Sequence, residues 1–167
     1  MQNSRKDCQL EQGLEHATFG AGCFWGTEAA FRRLSGVRDT SVGYMGGHWD
    51  NPSYLDVAAR VTGHAEVAQV CFNPAEISYS QLLELFWTIH DPTSLNRQGA
   101  DRGEQYRSAI FTHNPQQEAI AQASKKAAAE RYDIPIVTEI KPASVYYLAT
   151  EDHQQYFEKR GRTATRE

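Results

Sequence analysis

Alternation of strand-like and helix-like segments predicts a sheet with helices packed on it, in an α/β or α+β arrangement. Three observations carry this expectation. Short apolar runs recur between glycine, proline and asparagine; segments with apolar residues at three- and four-residue spacing separate them; and no repeat, low-complexity tract or linker interrupts the stretch from Ala17 to Gly161. The 167 residues are read as one catalytic domain spanning 1–167, with a core at about 17–161 between polar N- and C-terminal tails.

Ala17-Thr18-Phe19 reads as a buried strand, and Phe24, Phe31 and Leu34 give the next segment, about 24–35, a helical apolar stripe that only Glu28 interrupts. Thr40 to Tyr44 suggests a strand, and Gly46 to Pro52 holds too many breakers to be anything but loop. His64 to Phe72 alternates as a strand, with Ala65, Val67, Gln69 and Cys71 on one face and Glu66, Ala68, Val70 and Phe72 on the other. Glu66 is the misfit on its apolar face. Ser78 and Gln81 have capping-box spacing ahead of Leu82, Leu83, Leu85, Phe86 and Ile89, a helix that Pro92 closes. From Asp91 to Tyr106 the chain is polar and aperiodic, and a loop that long in a compact domain is functional or disordered. Arg107 to Thr112 reads as a strand, Asn114-Pro115 opens an alanine-rich helix to about Arg131, and Ile136 to Ile140 is a further strand. Val145 to Leu148 forms a short strand, Thr150 caps a helix through Tyr156 and Phe157, and Gly161 stops it.

A net charge of −4, with lysine and arginine scattered among acids, argues against nucleic acid as a partner and favours a small molecule or a peptide. Met1 to His16 lacks the apolar centre of a secretory signal, and no apolar run is long enough to span a bilayer. A cytoplasmic monomer with no membrane partner is expected. Its three cysteines, Cys8, Cys23 and Cys71, are expected to be reduced and to serve chemistry and packing instead of a disulfide framework.

The segment Gly20-Ala21-Gly22-Cys23-Phe24-Trp25-Gly26 sets a cysteine where a strand hands over to a helix. Unpaired N–H groups and the helix dipole favour an anion there, so the Cys23 thiol is expected to have a lowered pKa. Against this stands Cys23 as a small buried hydrophobe in a tight turn. Burial of Glu66 would keep its carboxyl protonated near neutrality, as a general acid requires, whereas an exposed strand-end carboxylate would ionise. Tyr54 and Tyr106 each flank a polar loop, where a phenol can donate a hydrogen bond or simply pack. Asp101, in Gly99-Ala100-Asp101-Arg102-Gly103, has the mundane reading of a turn former. One of Phe24 and Trp25 is expected in the core and the other in a pocket for a methyl or thioether group. His48, His64, Cys23 and Cys71 lack zinc-site spacing, so no metal is expected.

Gly22-Cys23-Phe24-Trp25-Gly26, Gly43-Tyr44-Met45-Gly46-Gly47, Asn51-Pro52-Ser53-Tyr54, Gly63-His64-Ala65-Glu66, His90-Asp91-Pro92-Thr93, the run Arg97 to Ser108 and His153-Gln154-Gln155-Tyr156 together resemble peptide methionine sulfoxide reductase, type A. The resemblance spans roughly Thr18 to Phe157. It implies a two-layer α/β sandwich around a mixed sheet, of the ferredoxin-like α+β kind, and reduction of the S epimer of methionine sulfoxide, free or in proteins. By that likeness Cys23 is the nucleophile that becomes a sulfenic acid, Glu66 protonates the sulfoxide oxygen, and Tyr54 and Tyr106 hydrogen-bond it. Phe24 and Trp25 cradle the methyl group, and Asp101 binds the polar part of the substrate or orders its loop. The likeness implies no cofactor beyond an external thiol reductant, with thioredoxin or glutaredoxin as partner.

Many relatives carry resolving cysteines in a glycine-rich C-terminal tail, which this sequence does not have. Recycling of Cys23 therefore falls to an external thiol, the favoured route, or to Cys8 as a candidate resolving thiol in a tail that folds back. Two rival classes remain. A cysteine hydrolase or acyltransferase needs a histidine base, for which His48 and His64 are available; a methionine-peptide binding module would keep the aromatic pocket and turn nothing over.

Overall fold

The computed structural model describes residue 8 and residues 13–161. Its centre is a mixed six-stranded sheet: β1 (Glu15–Ala21), β2 (Val37–Met45), β3 (Ala65–Phe72), β6 (Ser108–Thr112), β7 (Glu139–Pro142) and β8 (Tyr147–Leu148), in the order β7-β6-β1-β3-β2-β8. Only β6 and β7 run parallel as neighbours; every other pairing in the sheet is antiparallel. Helix α1 (Phe24–Arg32) joins β1 to β2, and α3 (Tyr79–Thr88) lies between β3 and β6. The run β1-α1-β2-β3-α3-β6 is thus a β-α-β-β-α-β unit in which each helix crosses over one intervening strand. Helix α4 (Pro115–Ala128) follows β6, and the short helices α2 (Tyr54–Ala58) and α5 (Tyr156–Lys159) sit beside the site described below.

Alternation along the strands decides the two faces. Ala17, Phe19 and Ala21 of β1, with Val70 and Phe72 of β3, meet Phe31 of α1 and Leu82, Leu83 and Phe86 of α3 in the main core. Phe19 stacks on Phe31 with ring centroids 4.9 Å apart. The other face carries Met45, Ala65, Val67, Ala109 and Phe111, covered by Ala143 and Tyr146. Toward β3's far end that face turns polar, where Gln69 Nε2 donates to Thr18 Oγ1 at 3.2 Å.

The capping chemistry read from the sequence is present. Ser78 Oγ accepts from Gln81 N–H and Gln81 Oε1 accepts from Ser78 N–H, while Asn114 caps α4 ahead of Pro115. Several expectations are corrected. The strand expected at Ile136–Ile140 begins only at Glu139, because Val137 N–H is taken by the Pro92 carbonyl at 2.8 Å, outside the sheet. The final helix is broken into a 3₁₀ turn at Glu151–His153 and α5, since Gln155 adopts φ 47° between them. The Gln154 side chain explains the break: it bonds Val42 N–H and the Val42 and Ala149 carbonyls, replacing helical bonds with tertiary ones. Within the polar stretch 91–106, β4 (Arg97–Gln98) and β5 (Asp101–Arg102) form a hairpin that the Gln98 amide clasps to the backbone of Asp91 through two hydrogen bonds.

The expectation of three reduced cysteines is also corrected. Cys8 is bonded to Cys71, with both residues buried against the polar end of the second face. Cys71 pairs with His16 and Asp39, five residues along β3 from Glu66, so this bond lies about 16 Å from the site along the strand. Cys8 is therefore not the free thiol beside Cys23 that a resolving role requires. The bond closes a loop of 63 residues, and its loss through Cys8→Ser is expected to cost about 2–4 kcal/mol of stability. Denaturant titrations with and without dithiothreitol check this: the parent should fall to the stability of Cys8→Ser on reduction, and Cys8→Ser should not respond.

Candidate active site

Strand β1 ends at Ala21, and Gly22 turns the chain at φ +94°, where a Cβ would sit 3.0 Å from the Gln98 side chain. Glycine is required there both for the backbone and for the approach of the 97–102 hairpin. Cys23 follows as the N-cap of α1, its carbonyl accepting from Thr27 N–H and Oγ1. The next N–H, of Phe24, donates to Glu66 Oε1 at 3.1 Å. A group that the helix itself leaves without a partner is thereby satisfied by a carboxyl reaching across from β3.

Burial governs both titratable groups. Glu66 is 3% exposed, and loss of water, outweighing the Phe24 N–H bond and helped by nearby Asp101, pushes its pKa up to about 8. Near pH 7 the carboxyl is thus held predominantly in its acid form, the direction expected of it. Cys23 runs opposite to expectation. Its pKa is pushed up to about 12, first by burial and then by the charges of Glu66 and Asp101, against the lowering effect of the Trp25 and Gly26 N–H groups. The helix N-terminus acts in the foreseen direction but is outweighed by desolvation. With Glu66 protonated its share of that repulsion disappears, so the thiol and the acid oppose each other only where the acid has ionised.

Tyr54, the first residue of α2, and Tyr106, at the end of a 3₁₀ turn, converge on the same place. Both phenols are raised by burial first, then by the charge of Glu66, with Cys23 and Asp101 contributing. Asp101 pairs across the hairpin with Gln98, the residue that touches Gly22. The expected set Cys23, Glu66, Tyr54, Tyr106 and Asp101 is thus one cluster. Of the two aromatics after the thiol, Phe24 is the core member, 1% exposed against Tyr44, while Trp25 is half-buried at the surface of the site.

Three further residues complete the cluster. Tyr156 stacks on Trp25 with centroids 3.6 Å apart; His153 stacks on Tyr54 at 4.7 Å, and its Nδ1 accepts from Trp25 Nε1–H at 3.1 Å. Both belong to the C-terminal motif, whose residue types signalled importance but whose position beside Trp25 no local pattern encodes. The third is Tyr44, directly opposite Glu66 across β2 and β3, with a buried hydroxyl that no described residue partners.

Glu28, the misfit in the α1 stripe, holds this wall in place. At 1% exposure its carboxylate accepts from Thr40 Oγ1 at 2.7 Å and from Gln155 N–H at 2.8 Å. It fixes the left-handed turn that seats Tyr156 on Trp25. His64, available in principle as a base for Cys23, is committed elsewhere: Nδ1 accepts from Gly47 N–H and Nε2 donates to the Trp49 carbonyl, which pins the 46–49 loop. His48 is exposed on that loop. Among the described residues no three histidine, cysteine or acidic side chains converge to hold a metal.

The family model for peptide methionine sulfoxide reductase matches residues 15–166. Peptide methionine sulfoxide reductase MsrA 1 of a Nostoc species is 63% identical over 154 residues, covering 91% of this chain and 94% of that protein. Among solved structures, methionine sulfoxide reductase A of Corynebacterium diphtheriae superimposes with a TM-score of 0.87 at 37% identity, over 90% of this chain and 77% of that one. Mxr1 of Saccharomyces cerevisiae, solved in complex with Trx2, matches with a TM-score of 0.63 at 27% identity, over 86% of this chain and 85% of its own.

Replacing Glu28 by Ala leaves Thr40 Oγ1 and Gln155 N–H without their acceptor in a buried place, a loss of about 1–3 kcal/mol. Glu28→Gln, which keeps one acceptor oxygen, is expected to lose less. Equilibrium denaturation followed by tryptophan emission checks both, with a red shift in native Glu28→Ala as the Trp25–Tyr156 stack loosens.

Proposed function

This chain belongs to the peptide methionine sulfoxide reductase family, and from that membership we propose that it reduces the S epimer of methionine sulfoxide at Cys23, with Glu66 as the proton donor. The observation that carries this reading is the buried Glu66 carboxyl, anchored by Phe24 N–H and held neutral up to about pH 8 beside a thiol and two phenols. A sulfoxide sulfur is a poor electrophile until its oxygen gains a proton or strong hydrogen bonds. Glu66, Tyr54 and Tyr106 supply these on one side, while Trp25 backed by Tyr156 and His153 offers an apolar wall for the methyl group on another. Fixing oxygen and methyl on different sides of the sulfur leaves one epimer able to present its sulfur to Cys23 Sγ.

In the first half-reaction the sulfoxide S–O bond breaks and an Sγ–O bond forms. The substrate sulfur is reduced by two electrons to the thioether, and Cys23 is oxidised by two electrons to the sulfenic acid. The Cys23 thiol starts protonated, so its proton must leave as the oxygen is protonated; the same cluster of Glu66 and phenols is at hand for that exchange. Asp101 is assigned to the polar end of the substrate. Since Cys8 and Cys71 are bonded to each other, recycling is assigned to an external thiol, with a thioredoxin- or glutaredoxin-type protein as partner. The complex of yeast Mxr1 with Trx2 supports such a partner.

Incubation with S- and R-methionine sulfoxide and dithiothreitol tests the reading: methionine should appear from the S epimer alone, and no turnover of either overturns it. Cys23→Ser should abolish the reaction. The acid form of Glu66 is present below its pKa of about 8 and is titrated away above it, so the single-turnover rate should fall as pH rises through that value. Glu66→Gln should be slower by roughly 10²–10⁴ and should lose that alkaline limb, which stopped-flow rates between pH 6 and 10 would reveal.

A further inference from the structure

The motif His90-Asp91-Pro92-Thr93 lies outside the reacting cluster, yet it is tied to the hairpin that carries Asp101. Its turn is held from several sides. His90 Nδ1–H donates to the Phe86 carbonyl at 2.8 Å, which leaves Nε2 to accept from the Ser108 hydroxyl at 2.7 Å, and Ser108 stands opposite Ala21 across β6 and β1. Asp91 Oδ1 accepts from the N–H and Oγ1–H of Thr93, and the Pro92 carbonyl holds Val137 N–H. The hairpin by itself is weak. Its ladder has two residues on each strand, and the pair at its open end sets Arg97 against Arg102, like charges directly opposite one another. Gln98 joins the weak element to the held one: its Oε1 accepts from Asp91 N–H at 2.9 Å and its Nε2 donates to the Asp91 carbonyl at 2.7 Å, so one side chain pairs with the backbone as a strand would. Arg60 Nη2 adds a tie to the Arg102 carbonyl at 2.7 Å. Gln98 and Asp101 are partners across the ladder and project from one face, opposite to the two arginines. That face is turned toward the Cys23 turn, since Gln98 Cβ and Cγ lie 3.0 Å from where a Cβ on Gly22 would sit.

We propose that Gln98 is a positioning residue: by tying the hairpin to Asp91 it holds Asp101 beside Cys23 and Glu66, where Asp101 meets the polar end of the substrate. The proposal rests on the reductase reading and goes beyond it in naming what sets one substrate contact. Asp101 is exposed, and no hydrogen bond among the described residues holds its carboxylate, so the backbone that carries it decides where it stands. Its charge nevertheless reaches the cluster, contributing to the raised pKa of both Glu66 and Cys23. The ionisable groups facing Glu66 are Cys23 from the turn before α1, Tyr44 from β2, Tyr54 from α2, Tyr106 from the 3₁₀ turn and Asp101 from the hairpin; among them it is Asp101 whose charge raises the Glu66 pKa. A hairpin released from Asp91 carries that charge away. Two effects then travel together: weaker capture of the substrate's polar end, and a Glu66 carboxyl that ionises at lower pH. A side chain that only stabilised the fold would move neither.

The test uses Gln98→Met, which keeps the Cβ and Cγ that pack on Gly22 and removes both hydrogen bonds to Asp91. Single-turnover reduction of N-acetylmethionine S-sulfoxide methylamide is followed against substrate concentration at pH 6, and at saturation from pH 6 to 10. The half-saturating concentration should rise about tenfold, the scale of one hydrogen bond to a charged group, while the limiting rate at pH 6 changes far less. Loss of a negative charge that raises the Glu66 pKa lowers that pKa, so the alkaline limb should move from about pH 8 to lower pH. Asp101→Asn should reproduce both changes, and adding Gln98→Met to Asp101→Asn should alter neither further. Deuterium exchange at the Asp91 amide should quicken in Gln98→Met. The proposal is overturned if the effects of the two substitutions multiply, if Gln98→Met leaves half-saturation and the alkaline limb in place, or if the Asp91 amide stays protected in that variant. Failure of the parent protein to reduce the sulfoxide would instead sink the reductase reading.

Discussion

The hydrogen bond from Phe24 N–H to Glu66 is the constraint around which the site is organised. It joins the first turn of α1 to the second residue of β3, and in doing so fixes where Cys23 sits relative to a carboxyl. The same bond does two opposed things to chemistry. It lowers the Glu66 pKa a little, yet the burial it demands raises that pKa far more. Desolvation wins because an ionised carboxylate would need several donors to replace water, and the site gives it one from the backbone. An acid that stays neutral at physiological pH is the result.

Glu28 plays a complementary part four residues further along the same helix. Glu66 reaches to the helix from the sheet, whereas Glu28 reaches from the helix to Thr40 and to the turn at Gln155. Between them the two buried carboxyls lock three segments far apart in sequence: the 22–32 turn and helix, the β2–β3 pair, and the C-terminal stretch that brings His153 and Tyr156. The aromatic wall of Trp25, Tyr156, His153 and Tyr54 is therefore a product of buried polar bonds as much as of ring packing. This fits the general cost of leaving such groups unpaired, which makes a satisfied buried network specific in geometry.

The disulfide bears on which thiol is free to react. A second-face bond between Cys8 and Cys71 secures residue 8 to the sheet at a distance from the reaction and leaves Cys23 as the free cysteine among the described residues.

Much of this was legible in the letters of the chain. Period-two alternation set β3 and marked Glu66 as the polar misfit on its apolar face; the Ser78–Gln81 spacing and Asn114-Pro115 marked two helix starts; the glycines around Cys23 marked the turn. These are local signals, because caps, turns and pleats act within a few residues. Other features depended on contacts across the fold. The direction of the Cys23 pKa shift was misjudged because helix-dipole reasoning is local, whereas burial is set by everything packed around the sulfur. Cys8 and Cys71, the break at Gln155 and the placement of Tyr156 on Trp25 likewise arise from pairings between distant segments. Sequence alone determined the element types and the chemistry on offer; the tertiary structure decided which side chains lose water together, and desolvation is what sets their proton affinities and reach.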